Sequence, residues 1–217
     1  MGAFTELSSF LREDLCAAAR KLNYSEALIC ILEGKDVEVE HTYPMVYNNI
    51  LSCRHNRDGR TPFDYARDLI ASWIFEDYLI QQIKLAGINI AHAGADRKRE
   101  ILPSNKVSSA SDCITQYHGI SRKLEIMTDY KGYWSRNKRI DLRDDKFIKM
   151  RRENSIFLGF STIDSKYIII DFRENVEAEY TSYHYPYKKP AYFIPIKGEA
   201  LKPFDIHSLV EHIKSIF

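Results

Sequence analysis

The chain lacks the signatures of several common catalytic scaffolds. It has no GxxxxGK[ST], so no P-loop cradles a nucleotide's phosphates, and no GxGxxG follows a strand-like run to seat a dinucleotide. There is no HExxH to hold zinc on a helix and no GxSxG to expose a nucleophilic serine. The four cysteines, Cys16, Cys30, Cys53 and Cys113, form no CxxC pair, which argues against a cysteine zinc site and for buried thiols in a reducing compartment. No apolar run is long enough for a transmembrane helix. The first residues lack the basic and apolar regions of a signal peptide, and Glu6 stands where a myristoylation signal carries Ser or Thr. These absences lead to the expectation of a cytoplasmic protein. An excess of one charge is missing too: 31 Lys and Arg face 30 Asp and Glu, so the total points to no polyionic partner.

What is present suits one domain, or one domain with a small appendage, because 217 residues with 45% hydrophobic content can build a core. The charge is uneven along the chain. Residues 97 to 152 hold fifteen Lys or Arg against seven Asp or Glu, and the remainder is acidic. A local basic surface is what a phosphate backbone requires, although a solvated face of mixed charge has the same composition.

Periodicity places helical segments within residues 5–33, where Leu7, Phe10, Leu11, Leu15 and Ala18 recur at helical spacing. Val37-Glu38-Val39-Glu40 alternates like a short strand, and 41–60 reads as irregular. Within that stretch Arg54, Asn56 and Arg57 are side chains able to read base edges. Thr61-Pro62-Phe63-Asp64 opens a helix with a capping residue, a first-turn proline and a capping-box acid, and the helix runs to about Ala86. Glu76 falls inside its apolar stripe, where a carboxylate needs a partner such as a metal or a lysine. Ile88 to Ala91 reads as a strand, 141–154 as a helix, 155–162 and 166–172 as strands, 173–190 as an exposed loop, 191–196 as a strand and 204–217 as a closing helix. The run Tyr167-Ile168-Ile169-Ile170 suits a strand covered on both sides. The organisation expected is a helical region over 1–60, concerned with DNA recognition or dimerisation, and a core over 61–217.

The densest chemistry lies between Ser111 and Trp134. Two strands are expected there, reversing at His118-Gly119, with Asp112 opening the first and Asp129 and Lys131 closing the second. Residues two apart in a strand share a face, so Asp129 and Lys131 point together, and Asp112 can approach Asp129 from the neighbouring strand. Two carboxylates are hard oxygen ligands for Mg²⁺, and an ammonium beside them can orient water or stabilise developing negative charge. The basic stretch that follows, including Arg136, Lys138 and Arg139, suits contact with a phosphate backbone.

The pattern of Asp112, sixteen intervening residues and Asp129-Tyr130-Lys131 resembles the PD-(D/E)XK nucleases, with Ser111 in place of the usual proline. The order helix, strand, strand, strand, helix, strand over residues 61–172 is the family's core order. The resemblance implies an α/β fold with a mixed central sheet flanked by helices, like that of restriction endonucleases. It implies Mg²⁺-dependent, sequence-specific cutting of double-stranded DNA by a homodimer, as in type II restriction enzymes. Asp112 and Asp129 would hold the metal, Lys131 would position water, and Glu76, or Asp77 beside it, would assist. No nucleotide cofactor and no membrane are expected. A repair or recombination nuclease of the same superfamily and a non-catalytic DNA-binding protein are the alternatives.

Overall fold

The computed structural model describes residues 2–53, 59–103 and 111–217, apart from the side chains of residues 95 and 96. The chain folds as two compact units, one formed by the described parts of Met1–Gln81 and His92–Ala110, the other by Gln82–Ala91 and Ser111–Phe217. No helix among the described residues is long and apolar enough to cross a membrane.

The first unit is helical: α1 (Ala3–Leu11), α2 (Leu15–Lys21), α3 (Glu26–Leu32), α4 (Asp36–Thr42), α5 (Pro44–Ser52) and α6 (Pro62–Leu85) as far as Gln81. Local chemistry sets the starts. Asp14 accepts from the Cys16 amide at 2.7 Å, and Pro44 begins α5. At α6 the Asp64 amide donates to Thr61 Oγ1 at 3.1 Å while the Thr61 amide donates to Asp64 Oδ2 at 3.3 Å, a reciprocal capping box. Ala66, Ile70, Trp73, Ile74 and Leu79 of α6 are buried, and Phe10 of α1 meets Phe75 edge-on.

Two expectations change here. Val37 to Glu40 lies in α4, not in a strand: the Val39 amide bonds to Lys35 O at 3.1 Å, and Tyr43 returns to Val39 O. Helical geometry separates the two valines, so Val39 is buried while Val37 is 67% exposed. Residues 44–52, expected to be irregular, form α5. The helix that opens at Pro62 belongs, up to Gln81, with the N-terminal helices.

The second unit holds β1 (Asn89–His92) up to Ala91, β2 (Cys113–Tyr117), β3 (Ile120–Asp129), α7 (Tyr133–Asn137), β4 (Arg139–Arg143), α8 (Asp144–Arg152), β5 (Ile156–Ser161), β6 (Lys166–Asp171), β7 (Glu179–His184), β8 (Lys189–Pro195), β9 (Lys202–Pro203) and α9 (Ile206–Ser215). Among the described residues the main sheet runs β1-β2-β3-β5-β6-β9. The β2–β3 pair is antiparallel, β3–β5 is parallel, and β5–β6 and β6–β9 are antiparallel. The fold class is therefore α/β: a mixed central sheet flanked by helices, after a helical N-terminal region. A second, antiparallel sheet runs β4-β8-β7.

That second sheet was not legible. β4 is short and partly charged, and its segment reads as helix. β7 is an edge strand with Tyr180 and Tyr183 both more than half exposed, so it carries no buried alternation. The strand wholly buried is β5, whereas in the Tyr167–Ile170 run only Tyr167 and Ile168 are buried. Trp134, Phe147, Met150, Phe157 and Phe172 form the core beneath α8, with Met127 packed against them.

Candidate active site

The β2–β3 hairpin sets the geometry. His118 and Gly119 have φ of 47° and 79°, the left-handed pair that a two-residue turn requires. Pairing then steps from Tyr117↔Ile120 to Cys113↔Leu124. One step further, Asp112 stands beside Glu125, and its Oδ2 accepts from the Ile126 amide at 2.7 Å. Glu125 is only 3% exposed. It lies on the β3 face shared by Met127 and Asp129, and it pairs with Phe157, whose side chain packs with Phe147 and Met150 of α8. That helix supplies two cations: Lys146 Nζ is 2.9 Å from Glu125 Oε2, and Lys149 Nζ is 3.4 Å from Oε1. A spacing of three puts both lysines on one side of the helix. Asp112, Glu125, Lys146 and Lys149 thus supply two carboxylates and two ammonium groups.

Asp129 lies elsewhere. It pairs with Ser161, four residues further along β3 than Glu125, or about 13 Å at strand rise. The expected approach of Asp112 to Asp129 is corrected by the register, because a two-residue turn fixes which residues face each other. Asp129 Oδ1 accepts from the Lys131 amide at 3.0 Å and Oδ2 from the Trp134 amide at 2.8 Å. It organises the turn into α7, where Gly132 adopts φ 65°. Lys131 is exposed, and its carbonyl accepts from Arg136 Nη1 at 2.6 Å.

Of the expected phosphate contacts, Arg136 and Lys138 are exposed. Arg139 is engaged: it donates to Tyr133 Oη and to Asp141 Oδ1 at 2.9 Å, and lies 4.0 Å over the Phe193 ring. Arg54, Asn56 and Arg57 lie outside the described residues.

Glu76 belongs to the first unit, where the partner its burial calls for is Arg99, with Nη1 at 3.0 Å. Arg99 also bonds Asp77 at 2.7 Å and lies over Trp73, while His92 and Tyr24 complete the cluster around Asp77. Burial pushes the Asp77 carboxyl up, but hydrogen bonds from His92 and Arg99 outweigh it and hold the group below its ordinary range. Burial and the neighbouring Asp77 push the Tyr24 hydroxyl up.

Among the described residues no three His, Cys, Asp or Glu side chains gather into a metal-holding group. Asp112 and Glu125 form a pair of hard oxygen donors without sulfur or imidazole. That donor set fits Mg²⁺, which takes one or two carboxylates and keeps several waters.

No family model matches this chain, and no curated protein matches it. Among solved structures, Hjc, a Holliday junction resolvase from Archaeoglobus fulgidus, is similar over 66% of this chain and 98% of its own, at 13% identity and a TM-score of 0.37.

Proposed function

We propose that this chain is a Mg²⁺-dependent nuclease that hydrolyses DNA phosphodiesters, with its reacting centre at Asp112 and Glu125. The observation that carries the reading is the convergence of these two carboxylates from paired strands with Lys146 and Lys149 on the second of them. Asp112 and Glu125 would hold the metal. When bound, Mg²⁺ supplies a water of lowered pKa and stabilises charge on the phosphoryl group. The lysines balance Glu125 and stand where an ammonium can hold the attacking water or a phosphoryl oxygen by a charge-assisted hydrogen bond. Asp129 and Lys131, which carry the sequence motif, are the competing assignment. Both Asp129 oxygens accept from main-chain amides, whereas the Glu125 oxygens meet lysine ammonium groups, and this favours Glu125 over Asp129 as the partner of Asp112, one of whose oxygens also accepts from a main-chain amide.

The test is cleavage of phage DNA and of four-way junctions with Mg²⁺, using the parent, Glu125→Gln and Asp129→Asn. Loss in Glu125→Gln with Asp129→Asn active per folded molecule supports the assignment, and the reverse pattern restores the motif pair. Discrete fragments from phage DNA identify a restriction enzyme, while cutting confined to the junction identifies a recombination nuclease. No Mg²⁺-dependent cutting of any DNA refutes the proposal.

A further inference from the structure

A cavity of about 410 Å³ opens on the second unit at the start of β3, walled in part by Ile114, Ile120, Lys123, Glu153 and Arg173. Its position follows from the register. Ile114 faces Lys123 across the hairpin, and these two stand two residues from Asp112 and Glu125 respectively. Asp112, Glu125, Ile114 and Lys123 share one face, with the acids one pleat further from the turn, while Ile120 and Arg122 alternate to the other face, so the cavity at the start of β3 draws on both.

The lining joins two chemistries. Ile114 and Ile120 are 45% and 43% exposed. Beside them stand Lys123 and Arg173, both over 40% exposed, and the buried Arg122. Arg122 is fixed by Asp171, the Asn154 carbonyl at 2.8 Å and the Ile216 carbonyl at 3.0 Å. Lys123 holds Glu153 Oε1 at 2.9 Å, and Arg173 holds Asp171 at 2.7 Å. Three cations therefore meet two carboxylates, which leaves positive charge next to apolar surface. A phosphate joined to a flat apolar ring matches both.

We propose that this cavity takes one nucleotide of the DNA strand held at Asp112 and Glu125. Its phosphate lies on Lys123 and Arg173 and its base against Ile114, on the face that carries the acids. The identity of the strand rests on the nuclease reading; the cavity's chemistry does not.

The test is oligonucleotide binding by fluorescence anisotropy in EDTA, so that nothing is cut, at several salt concentrations. Lys123→Ala with Arg173→Ala is expected to weaken binding about tenfold at 0.1 M salt and to flatten the log–log salt slope by about one to two. Ile114→Ala is expected to weaken binding about threefold and leave the slope unchanged, since apolar contact releases no counterions, while Ile120→Ala, on the opposite face, leaves both unchanged. Lys123→Gln alone, checked by thermal melting, guards against a folding defect from losing Arg173. Parental affinity and slope in all variants overturn the proposal. So does a deoxynucleoside 5′-monophosphate that needs Lys123 while the oligonucleotide ignores it. Cutting by the parent together with indifferent variants removes the cavity and keeps the nuclease; Lys123-dependent binding without any cutting does the opposite.

Discussion

β3 carries two buried carboxylates on one face, Glu125 near its middle and Asp129 at its end, and they are satisfied in different ways. Glu125 meets two lysine ammonium groups from α8, while Asp129 meets two main-chain amides. Backbone donors cannot leave without undoing the turn that carries them. Lysine heads on flexible stems can turn aside when a metal or a phosphate arrives. The first arrangement therefore suits a reacting group and the second a structural one, although both acids sit on the same strand. Glu76, in the other unit, is a third case: Arg99 binds it together with Asp77, so its cation is shared and fixed.

Substitutions can break this contrast. The largest expected effect is on chemistry: Glu125→Gln should lower Mg²⁺-dependent hydrolysis by about a hundredfold or more, while Asp129→Asn changes the rate per folded molecule by less than about tenfold, measured by single-turnover cleavage. Next comes the charge balance. Lys146→Ala with Lys149→Ala strands a carboxylate that is only 3% exposed and should cost about 3 kcal/mol in urea unfolding, most of it restored by adding Glu125→Gln. Asp129→Asn should cost about 1–3 kcal/mol, because an amide oxygen can replace only one of the two carboxylate oxygens and its NH₂ faces a donor.

The smallest effect is a control on pH, at Asp171. Burial raises its carboxyl pKa, but hydrogen bonds from Arg122 and Arg173 more than offset this and hold it at about 2. A folded-state pKa below the unfolded one stabilises above the unfolded value, and that stability fades as pH falls from about 4 towards 2. Asp171→Asn should flatten unfolding midpoints across that window while Glu125→Gln leaves the Asp171 contribution in place.

The hairpin was legible because His118-Gly119 announces a two-residue turn, and the mixed sheet was what the nuclease resemblance implied, with the order of helical and strand-like runs in support. The same turn already held the site. Residues equidistant from it must face each other, so position 112 falls beside 125, whereas the motif spacing drew attention to 129. Glu125 sits between Leu124 and Ile126 and resembles any alternating strand residue; only its pairing and the lysines on α8 single it out. Those lysines were hidden because a helix with charges from Arg143 to Arg152 reads as a solvated face. α4 went unread because its alternating valines lack the helical period, and β7 because its exposed tyrosines carry no core-facing pattern.

Lys146 and Lys149 reach the same carboxylate from successive turns of α8. Such duplication has a genetic consequence. A screen that replaces one codon at a time would score each amine as dispensable, since the other remains within reach, and the pair would surface only as a synthetic defect.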